Sequence, residues 1–176
     1  MGATGRYPWP LLLVLAACGG DDDGPDSGPP VGGTVELGTG TISFEEIEPE
    51  SDLGLVSGPQ GGHHFVVHAR MTGLVPGDPT SPGEIGNPST KFTVESEDGE
   101  RLDIDMAPYR LGYEELADDG VYTLPGGRIC QVREDAVEAI DGGRVRLRVV
   151  VTDARDRIAT DDVWVNAYLI VPDAGP

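Results

Sequence analysis

All three histidines of this 176-residue chain fall in one stretch, "GGHHFVVHARMTG", as His63, His64 and His68. On a helix, His64 and His68 would share a face at the i, i+4 spacing that zinc sites use. Phe65, Val66 and Val67 between them, with Gly61-Gly62 and Gly73 at the ends, favour a strand instead. Four residues of strand span about 13 Å at ~3.3 Å each, too far for two ligands of one ion. His63 would point to the opposite face. A copper site of the cupredoxin kind also lacks a histidine after Cys130. No metal is expected, and the histidines are assigned to a solvent face and strand edge.

Other reactive groups give the same answer. Cys130 has Ile129 and Gln131 as neighbours, which supply neither a base nor a cation to make a thiolate, so a buried inert thiol is expected. Arg144, Arg146 and Arg148 alternate along "RVRLRVVVT" and form a ladder that could bind an anion. In a chain of formal charge −19 they are expected to pair with acids on the adjacent strand. Asp153, Asp156, Asp161 and Asp162 lack the spacing of a calcium loop, so a polar hairpin is the better reading. There is no G-x-S-x-G, P-loop or dinucleotide fingerprint, and no catalytic residue or cofactor is assigned.

Two long irregular segments are better placed for recognition. Residues 74–89, "LVPGDPTSPGEIGNPS", carry Asp78, Glu84 and Asn87, and a loop of that length inside a domain is often functional. Residues 107–120 carry Tyr109, Arg110 and Tyr113, a composition suited to contact. If both loops lie at one end of the fold, these six residues form the candidate binding surface.

The elements that must hold these groups read as strands. In "RVRLRVVVT", Val145, Leu147, Val149 and Val151 take one face and the arginines the other. "VWVNAYLIV" (163–171) is apolar on both faces and reads as a central strand, joined to the previous one by "DARDR" in a terminal hairpin. "TKFTVES" and "RLDIDM" are expected to pair through a tight turn at Asp98-Gly99, with Leu102, Ile104 and Met106 on one face. Further strands are expected at 35–37, 41–47, 63–72, 121–124 and 129–133, and one short helical crossing at 135–140. Twenty-six Gly and fifteen Pro disfavour long helices. The expected fold is all-β, an antiparallel two-sheet sandwich of immunoglobulin-like type with seven to nine strands; a jelly roll or open barrel meets the same count.

The N-terminus has different chemistry. Arg6 precedes the short apolar block Leu11–Ala17, which ends in small residues, has the anatomy of a signal peptide and is too short to span a bilayer. Ordinary cleavage after Ala16 and an uncleaved apolar terminus are the alternatives. Leu15-Ala16-Ala17-Cys18 resembles the lipobox of bacterial lipoproteins. The resemblance implies that Cys18 receives a diacylglyceryl group and becomes the first residue of the mature protein. With two or three acyl chains the anchor is stable, at ~0.8 kcal/mol per buried CH₂. Gly19 in place of Asp implies sorting to the outer membrane of a Gram-negative bacterium. Residues 58–68, "GPQGGHHFVVH", resemble a run in uncharacterised Gram-negative lipoproteins and imply no activity.

The expected organisation is a signal peptide at 1–17, a lipidated Cys18 with an acidic Gly/Pro tether to residue 33, a β-domain at 34–173 and a tail at 174–176. The tether composition cannot bury apolar area, and its Asp21-Asp22-Asp23 run reads as a solvated spacer. The chain carries eleven Arg and one Lys against 31 acidic residues, which argues against nucleic acid. The expected function is a non-enzymatic cell-envelope lipoprotein that binds or adheres, with the membrane and an envelope protein or glycan as partners. A structural accessory subunit is the alternative, and a metal-binding or enzymatic periplasmic domain comes third.

Overall fold

The computed structural model describes residues 32–58, 61–117 and 119–170. The expected signal peptide, Cys18, the tether up to residue 31 and the 174–176 tail lie outside them. Among the described residues the strands are β1 (Thr34–Thr39), β2 (Glu45–Glu46), β3 (Asp52–Ser57), β4 (His63–Thr72), β5 (Ser89–Ser96), β6 (Tyr109–Arg110), β7 (Glu114–Leu116), β8 (Val121–Thr123), β9 (Arg128–Val132), β10 (Arg144–Thr152) and β11 (Ile158–Leu169). A 3-10 turn (Glu134–Ala136) leads into one turn of helix, α1 (Val137–Ile140). The fold is all-β, as the alternating patterns require. No helix among the described residues is long and apolar enough to cross a membrane.

The strands form one large curled sheet in the order β2-β1-β4-β3-β11-β10-β5-β6, with β9 and β8 paired to β4, and β7 to β8. At its first residues β4 is flanked by β3 and β9, and at its last by β1 and β8. The sheet curls until β1 lies against β10 and β11, and β9 against β5. Between them the core gathers Val35 and Leu37 of β1, Phe65, Val67, Ala69 and Met71 of β4, and Val145, Leu147, Val149 and Val151 of β10. These are the inward sets that a period of two selects. Burying each large apolar side chain contributes about 1.5–3 kcal/mol. The 3-10 turn and α1 carry the chain from β9 to β10 and bury Ala136, Val137 and Ile140.

Several expectations are corrected. The sheet is mixed and not purely antiparallel, because β3 runs parallel to β11 with Leu53 opposite Ala167 and Leu55 opposite Leu169. The "DLGLVS" of β3 has Leu53, Leu55 and Val56 broken by Gly54, too short a run to read, and a parallel partner more than a hundred residues away leaves no local turn signal. Eleven strands exceed the expected seven to nine because β3, β6 and β7 were not expected, β6 and β7 having two or three residues each, too few for any period. From 41–47 only Glu45–Glu46 pairs.

"RLDIDM" forms isolated bridges at Arg101 and Asp103 instead of a strand. Leu102 is buried as expected, but Asp103 is buried too and Met106 is exposed. Asp103 is drawn inward because Val94 N–H donates to its carboxylate at 3.0 Å and Arg101 clamps it from the other side. The expected turn before it is present, with Gly99 at φ 79° and its N–H donating to Ser96 O. The terminal hairpin β10–β11 pairs nine residue positions, Arg144↔Asn166 through Thr152↔Ile158. Gly61 and Gly62 turn the chain into β4 at φ 83° and 79°, where an L-residue would be strained.

Candidate functional site

The two long loops do meet at one end of the fold, but they brace each other. Gly83 N–H donates to Arg110 O and Tyr113 N–H to Pro76 O, both at 2.8 Å. Gly112 lies against the backbone of Asp78 and Pro79 so closely that a Cβ there would collide with both. The expectation that all six loop residues face a ligand is therefore corrected for two of them. Tyr113 is buried, its hydroxyl shares a 2.8 Å hydrogen bond with Thr90, and burial pushes its pKa well up. Asn87 is buried as well; its carbonyl accepts from Asp78 N–H and its amide donates to Ser81 O, both at 2.7 Å. A side chain whose polar atoms are spent internally does not meet a partner.

The other four lie nearer the surface. Tyr109 is half-buried, packs edge-on to Phe92 and donates to Ile129 O at 2.8 Å. Asp78 is exposed, but hydrogen bonds from the Thr80 hydroxyl and N–H and from the Ser81 hydroxyl occupy its carboxylate and lower its pKa. Arg110 and Glu84 are exposed.

The histidines stand on β4 as a strand requires, with His64 and His68 on the face opposite Phe65 and Val67. His68 departs from the expected solvent face and is completely buried. The Phe44 ring meets it edge-on at 5.8 Å, carried there by the segment after β1. Among the described residues no group of three or more His, Cys, Asp or Glu side chains is placed to hold a metal. Cys130 is buried on β9, and desolvation pushes its thiol up to about 12. That is the opposite of what a nucleophile needs.

The aspartates of the terminal hairpin serve separate structural tasks. Burial alone would raise the Asp153 carboxyl, but bonds from Val75, Arg155 and Arg157 N–H groups and the Arg157 guanidinium outweigh it and hold the group at about 2. Asp161 accepts from Leu37 N–H across the core, and Asp162 belongs to the arginine ladder.

Arg148 of that ladder lines a groove of about 420 Å³ over the outer face of β5 and β10. Its floor is Thr93, Arg148 and Val150, and its walls include Lys91, Glu95 and Arg101. The pairing register explains its electrostatics. Arg144 is held by Glu50 and Glu97. Arg146 takes both oxygens of Asp162 at 2.9 Å and lies 3.8 Å from Glu95. Arg148 stands directly opposite Asp162 on β11 and Thr93 on β5. Since Arg146 already holds both oxygens of Asp162 and Thr93 is neutral, Arg148 makes no direct ion pair among the described residues and reaches Asp162 only through its charge, and its shielded Nε has no hydrogen-bond acceptor. Lys91 is matched by Asp105, and Arg101 by Asp103 and Asp105.

No family model, curated protein or solved structure matches the chain.

The groove was only half legible in the sequence. The alternation of "RVRLR" announces a basic ladder on one face, but which rung stays unpaired depends on the β5 and β11 registers. Arg101 reaches the groove only because the Ser96–Glu100 turn folds it back against Glu95.

Proposed function

We propose that this chain is a non-enzymatic lipoprotein of the bacterial cell envelope, anchored through Cys18 to the outer membrane. Its β-domain is an immunoglobulin-like sandwich that binds an envelope component. The lipobox and acidic tether supply the anchoring part of this reading. The groove over β5 and β10 carries the binding part, because it joins a volume suited to a small ligand with a guanidinium on a rigid floor that makes no direct ion pair among the described residues. A binding rather than catalytic role is supported by the state of the reactive groups: a raised, buried Cys130 thiol and a His68 shut away behind Phe44.

The alternative, an accessory subunit that adds a strand to a partner, draws less support. The edge strands β2, β6 and β7 have two or three residues and carry charge, the usual defence against strand addition.

The test is photocrosslinking in the intact envelope, with the crosslinker placed at Thr93 in the groove or at Glu138, exposed on α1. A discrete adduct from Thr93 and none from Glu138 is expected. Equal labelling from both positions, or none from Thr93, would overturn the groove as the binding site.

A further inference from the structure

We infer that the groove over β5 and β10 takes an acidic saccharide, with the ligand's carboxylate on the Arg148 guanidinium and its hydroxyls on the flanking side chains. The inference rests on the binding-module reading and names the ligand class of the same site.

The charges select a monoanion. Arg148 lines the groove with a guanidinium that makes no direct ion pair among the described residues, and carboxylate is the group that matches its planar fork of donors in shape and charge. The wall cations are already neutralised, Lys91 by Asp105 at 2.7 Å and Arg101 by Asp103 at 2.7 Å. The floor therefore offers one guanidinium that has no direct ion pair and only a Coulombic share in Asp162. A polyanion would meet Glu95 in the groove and the field of a chain with net charge −19. A single carboxylate would not face that penalty more than once.

The rest of the lining selects the saccharide. Ser89, Thr93 and Thr152 bring hydroxyls, which both donate and accept, and Glu95 accepts from a hydroxyl on the ligand side. An extended peptide needs backbone partners, and the floor has none to give. β10 is paired on both edges, by β5 from Val145 to Thr152 and by β11 along its whole length. Only side chains face the groove, so recognition must run through guanidinium, carboxylate and hydroxyl groups.

The experiment is calorimetric titration of the full chain in detergent with three probes of similar size: a trisaccharide of one galacturonate and two galactose units, neutral tri-galactose and triglycine. The mono-galacturonate trisaccharide should bind, at least about tenfold tighter than tri-galactose. Arg148→Gln should weaken it at least about tenfold with the melting temperature unchanged, and Arg148→Lys, which keeps the charge but loses the fork, should fall between. Glu138→Gln should bind as the wild type does. Equal affinity for the neutral sugar, full affinity in Arg148→Gln, preference for triglycine, or no binding by the mono-galacturonate trisaccharide would each overturn the saccharide assignment. Failure here with a Thr93 crosslink intact would remove only the ligand class; loss of that crosslink would remove the site itself.

Discussion

At the scale of single residues, burial decides chemistry more than residue type does. His68 has no exposed surface; the Ala69 nitrogen lies 3.0 Å and Ala69 O 3.4 Å from its Nδ1, and its Nε2 has no partner among the described residues. Desolvation lowers its pKa below the ordinary histidine value. The unfolded chain then binds a proton that the folded chain refuses, so this contribution to stability is complete above about pH 6.5 and erodes as pH falls through that value toward the folded pKa. His64, less buried, is lowered in the same direction. Urea midpoints measured at pH 7.5 and 5.5 should differ for the wild type, with the lower value at 5.5. His68→Leu, which fills the site and removes the proton, should shrink that difference. An undiminished difference would place the pH response elsewhere.

At the scale of elements, β10 is the strand on which both the core and the groove depend. Its inward side chains, Val145, Leu147, Val149 and Val151, are buried, while Arg144, Arg146 and Arg148 alternate outward. Leu147→Asp places a carboxylate where no water or cation reaches it, at a cost of several kcal/mol, comparable with the stability of a whole domain. That variant should not fold. Arg146→Asp loses surface pairs with Asp162 and Glu95 and puts a third acid among them, a change of about 1–2 kcal/mol. It should remain folded, with a lower melting temperature. Circular dichroism and thermal melts separate the two, and equal tolerance would mean the faces of β10 are reversed. The arginine ladder was expected to pair with neighbouring acids, and for Arg144 and Arg146 it does. Arg148 escapes because two arginines on one strand compete for one Asp162.

At the scale of the whole molecule, the question is how the domain is held. The described fold starts at β1, with Thr34 opposite Thr72, and the chain reaches it beside Leu74 and Arg157. Among the described residues the core begins at Val35. Cys18→Ala should then abolish lipidation, because only the thiol accepts the diacylglyceryl group, and leave the melting temperature of the domain unchanged. Radioactive palmitate and detergent partitioning read the first, and thermal melts of the purified proteins read the second. A wild-type chain that takes up no palmitate and begins before residue 18 would refute the anchor.

What the sequence determined by itself is what a period of two can carry. β4 and β10 were legible at their observed bounds, β5 nearly so, and the β10–β11 hairpin follows from two alternating runs joined by a five-residue turn. The buried Cys130 and the short helical crossing at 134–140 were legible for the same local reasons. Tertiary structure alone decided the rest. The parallel contact of β3 with β11 joins segments whose separation leaves no mark in either. Tyr113 and Asn87 look like contact residues by type, but the approach of Gly112 to Asp78 draws both loops together and turns them inward. Arg148 differs from Arg144 and Arg146 only in what stands across from it. Alternation assigns a side chain to a face, whereas its partner is set by register between strands distant in the chain, and that register is fixed only when the sheet has formed.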